Sequence, residues 1–363
     1  MSFKTAIEDI ENSIKAIDPV KYSKSRNFAD GSVTKLSPYL SRGVISTQKV
    51  YNHVRTLGLS FDTAEKLIQE LAWRDYWQQI WVCKKEDIFK DIKRPQSPVA
   101  NHQIPTSIIN SSTKIQAVDD AVKKLYSTGY MHNHMRMYIA AICCNIAQCY
   151  WHEPAKWMYA HLLDGDLASN MLSWQWVCGS NANKKYYANQ ENINKYFYSN
   201  QRGTFLDVGY EEFENMPIPD SLKETTDLEV VTNLDIVTSS NTIENTKTLL
   251  YNYYNLDPYW HQEEDFQRVF LIEPSVFKKY PISDACLNFA IKLSSNIKGI
   301  KFYVGEFEAF EKIVDEKNIS YKEHPLNKNY KGTEVPREWI SNVKGSFPSF
   351  FSFWKKCKKE IKW

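Results

Sequence analysis

No stretch of the 363-residue chain approaches the roughly 20 apolar residues a helical membrane span requires. No membrane partner is therefore expected. The opening 17 residues, MSFKTAIEDIENSIKAI, lack the cationic-then-apolar layout of an export signal, which points to a cytoplasmic protein. Seven cysteines are scattered without a CxxC pair, so neither a disulfide framework nor a zinc site is expected. Cys143 and Cys144 fall in an apolar helical run, where reduced, buried thiols belong. A surplus of charge is missing too. The 45 basic and 43 acidic residues leave +2, so overall electrostatics give no argument for a nucleic-acid partner. Glycine is sparse between residues 37 and 175, and no internal repeat is evident. No Ser–His–Asp or Cys–His layout appears, nor a carboxylate pair at acid–base spacing.

What is present is a globular composition, 43% apolar and 24% charged, long enough for one large domain or two ordinary ones. Aromatic residues reach 14%, and seven of the 11 Trp fall between residues 73 and 176. Lysine greatly outnumbers arginine, so each arginine draws notice.

Ile7, Ile10, Ile14 and Ile17 recur at helical spacing and predict an N-terminal amphipathic helix. From residue 37 to about 175 the chain reads as mostly helical. TAEKLIQELAWRDYWQQIW and MHNHMRMYIAAICCNIAQCYW both carry apolar stripes at three-to-four spacing. The polar stretch 225–247 reads as a linker. Beyond it, short β-branched and aromatic runs at 268–274, 300–306 and 319–325 alternate with helix-like stretches, which predicts a small parallel α/β unit. The basic, aromatic tail SFFSFWKKCKKEIKW reads as a closing helix with a solvated face. The expected architecture is a mainly helical domain over 1–224, a linker over 225–247, and a small α/β domain over 248–363.

The densest chemistry lies in GYMHNHMRM (129–137) and LLDGDLASNMLSWQW (162–176). Asn133 and Arg136 share one helix, while Asp164, Asp166 and Asn170 lie on the next. Arg136 paired with Asp164 would clamp two helices across a pocket. Amides and carboxylates there suit a polar ring edge, with Trp174 and Trp176 nearby. The absence of a hydrolytic layout suits a cofactor that does its own electron chemistry. Alone, Asp164 and Asp166 read as helix-capping acids or as metal ligands. With Arg136 and Asn170 in register, a cofactor pocket outweighs both readings. His132 and His134 stand two apart on a helix and point to different faces, so no metal is expected there. Earlier, Ser32, Thr34, Lys35 and Ser37 precede a helix and offer hydroxyls and amides to phosphate, although such runs often serve only as helix caps.

Four segments, TKLSPYLSRGVIS, QELAWRDYW, STGYMHNHMRM and LLDGDLASNMLSWQW, occur in an order and spacing that resemble the FAD-binding domain of the DNA photolyase/cryptochrome family. The resemblance covers about residues 20 to 200 and implies FAD as cofactor. It implies that Tyr22, Thr34, Lys35, Leu36 and Ser37 hold the FAD phosphates and ribose, and that Arg74 stands beside the flavin. Asn133, Arg136, Asp164, Asp166 and Asn170 are implied around the rest of the cofactor. Asn170 matches the residue facing flavin N5, where Asn resembles photolyases and plant-type cryptochromes have Asp.

On the substrate side the resemblance implies that Glu70, Trp73, Asn133, Met137 and Trp176 receive a cyclobutane pyrimidine dimer flipped out of UV-damaged DNA. Arg26 and Arg74 match phosphate-contacting arginines, whereas His134 stands where many members have another. Trp151 and Trp174 match two members of the tryptophan chain that feeds electrons to the flavin, with Asn170 and Glu70 as the other catalytic residues. Both Trp are also expected in the core. The third, surface member has no counterpart, since no Trp occurs between Trp81 and Trp151. The family's N-terminal α/β antenna domain has no counterpart before the helical segments, and the C-terminal α/β unit is read as a relocated, shortened version of it. The implied function is light-driven dimer splitting by a monomeric deoxyribodipyrimidine photo-lyase. A cryptochrome-like blue-light receptor is the alternative, and a flavin-binding structural protein a third reading.

Overall fold

The computed structural model describes residues 3–363. Residues 1 and 2, which open the stretch read for an export signal, lie outside the described residues. Two compact units emerge. One comprises Val20–Val33 and Lys84–Val230; the other comprises 3–19, Thr34–Cys83 and Val231–Trp363. Residues 34–83 thus group with the C-terminal α/β residues, whereas the sequence reading put them with the helical domain. The reason is local packing. The Phe61–Lys84 helix buries one face against the closing helix, Phe350–Glu360, through Tyr76 on Phe353 and Phe61 on Trp354. Asp75 on that helix also accepts the backbone N–H of Ile340 at 2.9 Å.

The first unit is helical. Gln116–Thr128, Asn133–Ala141, His152–His161, Leu167–Cys178 and Gln190–Phe197 are its main helices. The apolar run expected to stay helical to residue 151 instead widens into a π-turn at Ile142–Ile146 and then stops. Gln148 adopts positive φ, and Cys149 bridges to Asn101. His132 lies just outside the following helix as its cap, not on it as expected, and its ring sits 5.9 Å from that of His134. Two short strands, β1 (Ile104–Pro105) and β2 (Thr225–Thr226), pair antiparallel in this unit.

The second unit holds a five-stranded sheet of β3 (Thr248–Tyr251), β4 (Gln267–Ile272), β5 (Ile300–Val304), β6 (Ile319–Lys322) and β7 (Thr333–Val335). The spatial order is β5-β4-β3-β6-β7, and all four pairings are parallel. Every residue of β3 and five of six in β4 are buried, as central strands covered on both faces must be. Leu250, Val269, Leu271, Phe307, Phe310 and Ile319 form the core on one face. The expected strands are β4, β5 and β6, while β3 and β7 are additional. The stretch read as a linker is partly structured. Ser240 donates its amide to Phe302 at 2.8 Å, and Ser239 Oγ accepts from Val304 at 2.9 Å, covering the edge of β5. The N-terminal helix, Ile7–Lys15, buries Ile10 and Ile14. Among the described residues, no helix is long and apolar enough to cross a membrane.

Candidate flavin site and its family

In the helical unit the structure brings together the tightest group of predicted residues. Arg136 donates from Nη2 to Asp164 Oδ2 at 2.9 Å and from Nε to the Met131 carbonyl at 2.9 Å. Asp164 is buried and Arg136 about one-fifth exposed, so this pair is stronger than a surface ion pair. Gly129 makes the approach possible. It closes the Gln116–Thr128 helix in the left-handed region, and its carbonyl accepts the Leu163 amide at 2.9 Å. A Cβ at residue 129 would fall 2.4 Å from Leu163 Cγ, so only glycine fits there.

Asp166 caps the Leu167–Cys178 helix, with Oδ1 accepting from Ser169 N at 2.7 Å. Asn170 is one turn on and gives its own amide to the Asp166 carbonyl at 2.8 Å. Its side-chain Nδ2 donates to the Ala155 carbonyl at 2.8 Å. A carbonyl can only accept, so this bond fixes the side-chain amide with Oδ1 as the atom left to accept. Trp174 and Trp176 do not line one pocket together. Two residues apart on a helix, they face opposite ways, and Trp174 is buried while Trp176 is 38% exposed beside Tyr186.

Nearby, Asn133 is exposed at the start of its helix, with Nδ2 3.9 Å from Met137 Sδ. His132 Nδ1 accepts from His134 N at 3.2 Å, and Nε2 donates to the Arg26 carbonyl at 3.0 Å. Both ring nitrogens are thereby used, and burial pulls the His132 pKa down to about 4, keeping the ring neutral near pH 7. Arg26 lies 6.0 Å over the Tyr22 ring, and Ser32 gives its amide to Ser25 Oγ. Trp151 is fully buried, and its indole N–H donates to Asp91 Oδ1 at 2.8 Å.

The remaining predicted residues belong to the second unit. Thr34 Oγ1 accepts from Leu36 N at 3.4 Å, Lys35 is exposed with φ +53°, and Leu36 is buried ahead of the short helix Ser37–Ser41. Arg74 reaches the end of that helix, donating to Ser41 Oγ at 3.1 Å and the Leu40 carbonyl at 3.3 Å. On the Phe61–Lys84 helix, Glu70 is exposed and Trp73 half-buried. One face of Trp73 stacks on Phe350, with centroids 3.8 Å apart and planes at 11°. Asp91 and Phe350 escaped sequence reading because each meets its partner across long chain separations, leaving no local signal.

The donor set in the helical unit fits a flavin. The pyrimidine edge of an isoalloxazine alternates carbonyl acceptors with an N–H donor; the carboxylates of Asp164 and Asp166 and Asn170 Oδ1 are acceptors for that N–H, and the Arg136 guanidinium beside Asp164 carries donors. Among the described residues, no cluster of three His, Cys, Asp or Glu suits a metal ion.

Comparison with known proteins agrees with this chemistry. Residues 67–219 match the family model described as the FAD binding domain of DNA photolyase. The deoxyribodipyrimidine photo-lyase of Alkalihalophilus pseudofirmus is 26% identical over 202 residues, covering 54% of this chain and 42% of the relative. Cryptochrome DASH of Synechocystis sp. is 27% identical over 204 residues, with the same two coverages of 54% and 42%. The chain thus spans about two-fifths of the length of these curated relatives. The crystal structure of the Synechocystis cryptochrome superposes with a TM-score of 0.50 at 23% identity, covering 61% of this chain and 49% of that one, a likeness of fold. The fold, the polar set beside the Arg136–Asp164 clamp and the family match lead to one conclusion: the chain carries, over residues 67–219, an FAD-binding domain of the DNA photolyase/cryptochrome family.

Proposed function

We propose that this protein is a light-driven DNA repair flavoprotein that splits cyclobutane pyrimidine dimers. The observation that carries the reading is the fixed amide of Asn170. Its Nδ2 is committed to Ala155, so Oδ1 is the atom left to accept. An acceptor opposite flavin N5 favours a ring that bears hydrogen there, the reduced form that repair requires. In this reading Arg136 holds Asp164 in place, and Asp164, Asp166 and Asn170 contact the flavin. Asn133 lies beside the cofactor as well as the lesion. Tyr22, Thr34, Lys35, Leu36 and Ser37 hold the phosphates and ribose, with Arg74 beside the ring.

When bound, FAD supplies the light absorption and the electron chemistry. The chain's own residues position and exclude. Trp73 and Trp176 stack on the flipped lesion, each contact worth about 1–3 kcal/mol. Glu70 bonds its pyrimidine edge, Asn133 and Met137 line the pocket, and Arg26 and Arg74 meet DNA phosphates. Trp151 and Trp174 relay electrons through the protein interior. The protein works as a cytoplasmic monomer, without a metal, on UV-damaged DNA. The C-terminal α/β unit, whose sheet is wholly parallel, is a shortened counterpart of the family's antenna domain.

The test is direct. Purified protein loaded with reduced FAD is mixed with an oligonucleotide containing one thymine dimer and held in blue light or darkness. Dimer loss in the light alone is expected. Persistent dimers despite bound, reduced flavin would refute repair. Persistent dimers together with light-dependent partner binding would favour the cryptochrome-like reading, which the similarity to cryptochrome DASH keeps in view.

A further inference from the structure

The closing helix, Phe350–Glu360, spends one face on packing, where Phe350, Phe353, Trp354 and Cys357 are buried. Phe350 lies on Trp73 and Trp354 on Phe61, with ring centroids 3.8 and 6.3 Å apart. The residues past the helix are pinned as well. The Tyr51 hydroxyl donates to the Lys362 carbonyl at 2.6 Å, and the Trp363 indole N–H donates to the Leu59 carbonyl at 2.8 Å. On the other face Phe351, Lys355 and Lys359 stand four residues apart and form one stripe, which Lys362 extends just beyond the helix end. All four are exposed, Phe351 by 68%. Residues 355–362 hold five lysines against one glutamate, a surplus of four, where the whole chain has only +2. Two of the five have local tasks: Lys358 pairs with Glu65 at 3.1 Å, and Lys356 lies 5.4 Å over the Phe347 ring. Glu360 is engaged too, accepting the Asn342 amide at 3.0 Å. Lys355, Lys359 and Lys362 have no carboxylate partner among the described residues. Attraction to the helix C-terminus accounts for Lys359, but Lys355 stands outside the last turn.

We propose that this lysine stripe binds the phosphate backbone of DNA flanking the lesion, a contact that does not depend on the lesion itself. The inference rests on the proposed function, in which Trp73 stacks on the flipped base. Phe351 lies 5.5 Å from Phe350, the ring that covers Trp73, so the stripe starts beside that stack and leads away from it along the helix. Each lysine carries a point charge on a flexible stem, which suits phosphate contact more than base reading. The local surplus supplies the attraction to a polyanion that the overall charge of the chain does not. Because the helix and the residues past it are docked, the three ammonium groups are held together before DNA arrives, which lowers the cost of ordering them. An anionic membrane fits the same charge less well. An amphipathic helix on a membrane sinks its apolar face among the headgroups, and here that face is already buried in the protein.

Binding of the full chain to an undamaged DNA duplex in the dark, followed by fluorescence anisotropy at several salt concentrations, tests the stripe without any photochemistry. Each phosphate contact adds about 0.9 to the steepness with which log K falls against log salt. The triple variant Lys355→Ala, Lys359→Ala, Lys362→Ala should therefore lower the slope by about 2.7. The advantage of the unaltered protein over it should narrow about 40-fold between 50 and 200 mM salt. Lys292→Ala, Lys298→Ala, Lys312→Ala removes the same charge from other exposed positions and should leave the slope unchanged. Unchanged circular dichroism and Tm confirm that both variants are folded. A slope in the stripe variant equal to that of the unaltered protein overturns the inference, as does an equal fall in the control variant. So does a stripe variant that keeps its DNA slope but loses binding to phosphatidylserine vesicles, which would assign the face to a membrane. Light-driven dimer loss with an unchanged slope refutes the stripe and leaves repair standing. The expected slope change without dimer loss does the reverse.

Discussion

Breaking the Arg136–Asp164 clamp tests whether the candidate site is held as its geometry says. Arg136→Met removes two bonds from a charged donor, one to Asp164 and one to the Met131 carbonyl, both 2.9 Å. A hydrogen bond to a charged group contributes about 1.5–3 kcal/mol. Arg136 is partly exposed, so water can replace it at the Met131 carbonyl, and that bond belongs at the low end. The sum is about 3 kcal/mol, most of it from leaving the buried Asp164 carboxylate without its guanidinium. Asp164→Asn keeps an acceptor but removes the charge, and should cost about 1–2 kcal/mol. The double variant should cost less than the sum by about 1.5 kcal/mol, because the second change has no pair left to break. Urea unfolding of the four proteins, followed by tryptophan fluorescence, measures the cycle. A coupling below about 0.3 kcal/mol would mean the two residues act independently and would refute the clamp.

Three further outcomes follow from particular contacts. Gly129→Ala meets both a left-handed backbone and Leu163 at 2.4 Å, so it should lower the urea midpoint by more than about 1 kcal/mol in stability; an unchanged midpoint would contradict the close approach. Phe350→Ala removes a buried ring from the stack on Trp73 and should cost about 3–5 kcal/mol, loosening the closing helix first; hydrogen exchange over 350–360 should accelerate, and native-like protection there would refute the docking. Burial pushes the Glu273 carboxyl up to about 7, against the lowering effect of the Tyr330 hydroxyl and the Phe307 amide. Between the usual carboxyl range and pH 7 the folded chain then holds a proton that the unfolded chain has released, so stability falls as pH rises through this window and is level above it. Glu273→Gln should remove the fall and raise stability at pH 8 by on the order of 2–3 kcal/mol; a pH 8 urea midpoint no higher than that of the unaltered protein would refute the assignment.

Much of this was legible because the signals are local. The isoleucine stripe of the first helix, the β-branched runs of β4, β5 and β6, and the GDLASN capping segment each declare themselves within a dozen residues. The Arg136–Asp164 pair was reachable because a guanidinium and a carboxylate stood in adjacent motifs, although Asp164 lies in the turn ahead of the Leu167–Cys178 helix and not on it as expected. Strands β3 and β7 were not legible: four and three residues are too few to show a period. The helix break near Gln148 was hidden because its neighbours remain apolar, and apolar periodicity cannot distinguish a buried helix from a buried irregular segment. His132 was misplaced by one position, enough to turn a helical residue into a cap. The grouping of 34–83 with the α/β residues depends on Phe350 meeting Trp73 and Ile340 meeting Asp75, contacts more than 260 residues apart in the chain that leave no trace in either segment.

The central claim is that flavin is held by Asp164, Asp166 and Asn170 beside the Arg136 clamp, and the absorption spectrum of the purified protein tests it most directly. The native chain should show flavin bands at close to one FAD per chain. Asp164→Ala with Asp166→Ala should lose the bands while keeping the helical circular dichroism, and Asn170→Asp should retain the flavin but change which redox form accumulates in light. A folded, colourless native protein with no affinity for added FAD would contradict the account, as would full flavin occupancy after both aspartates are removed.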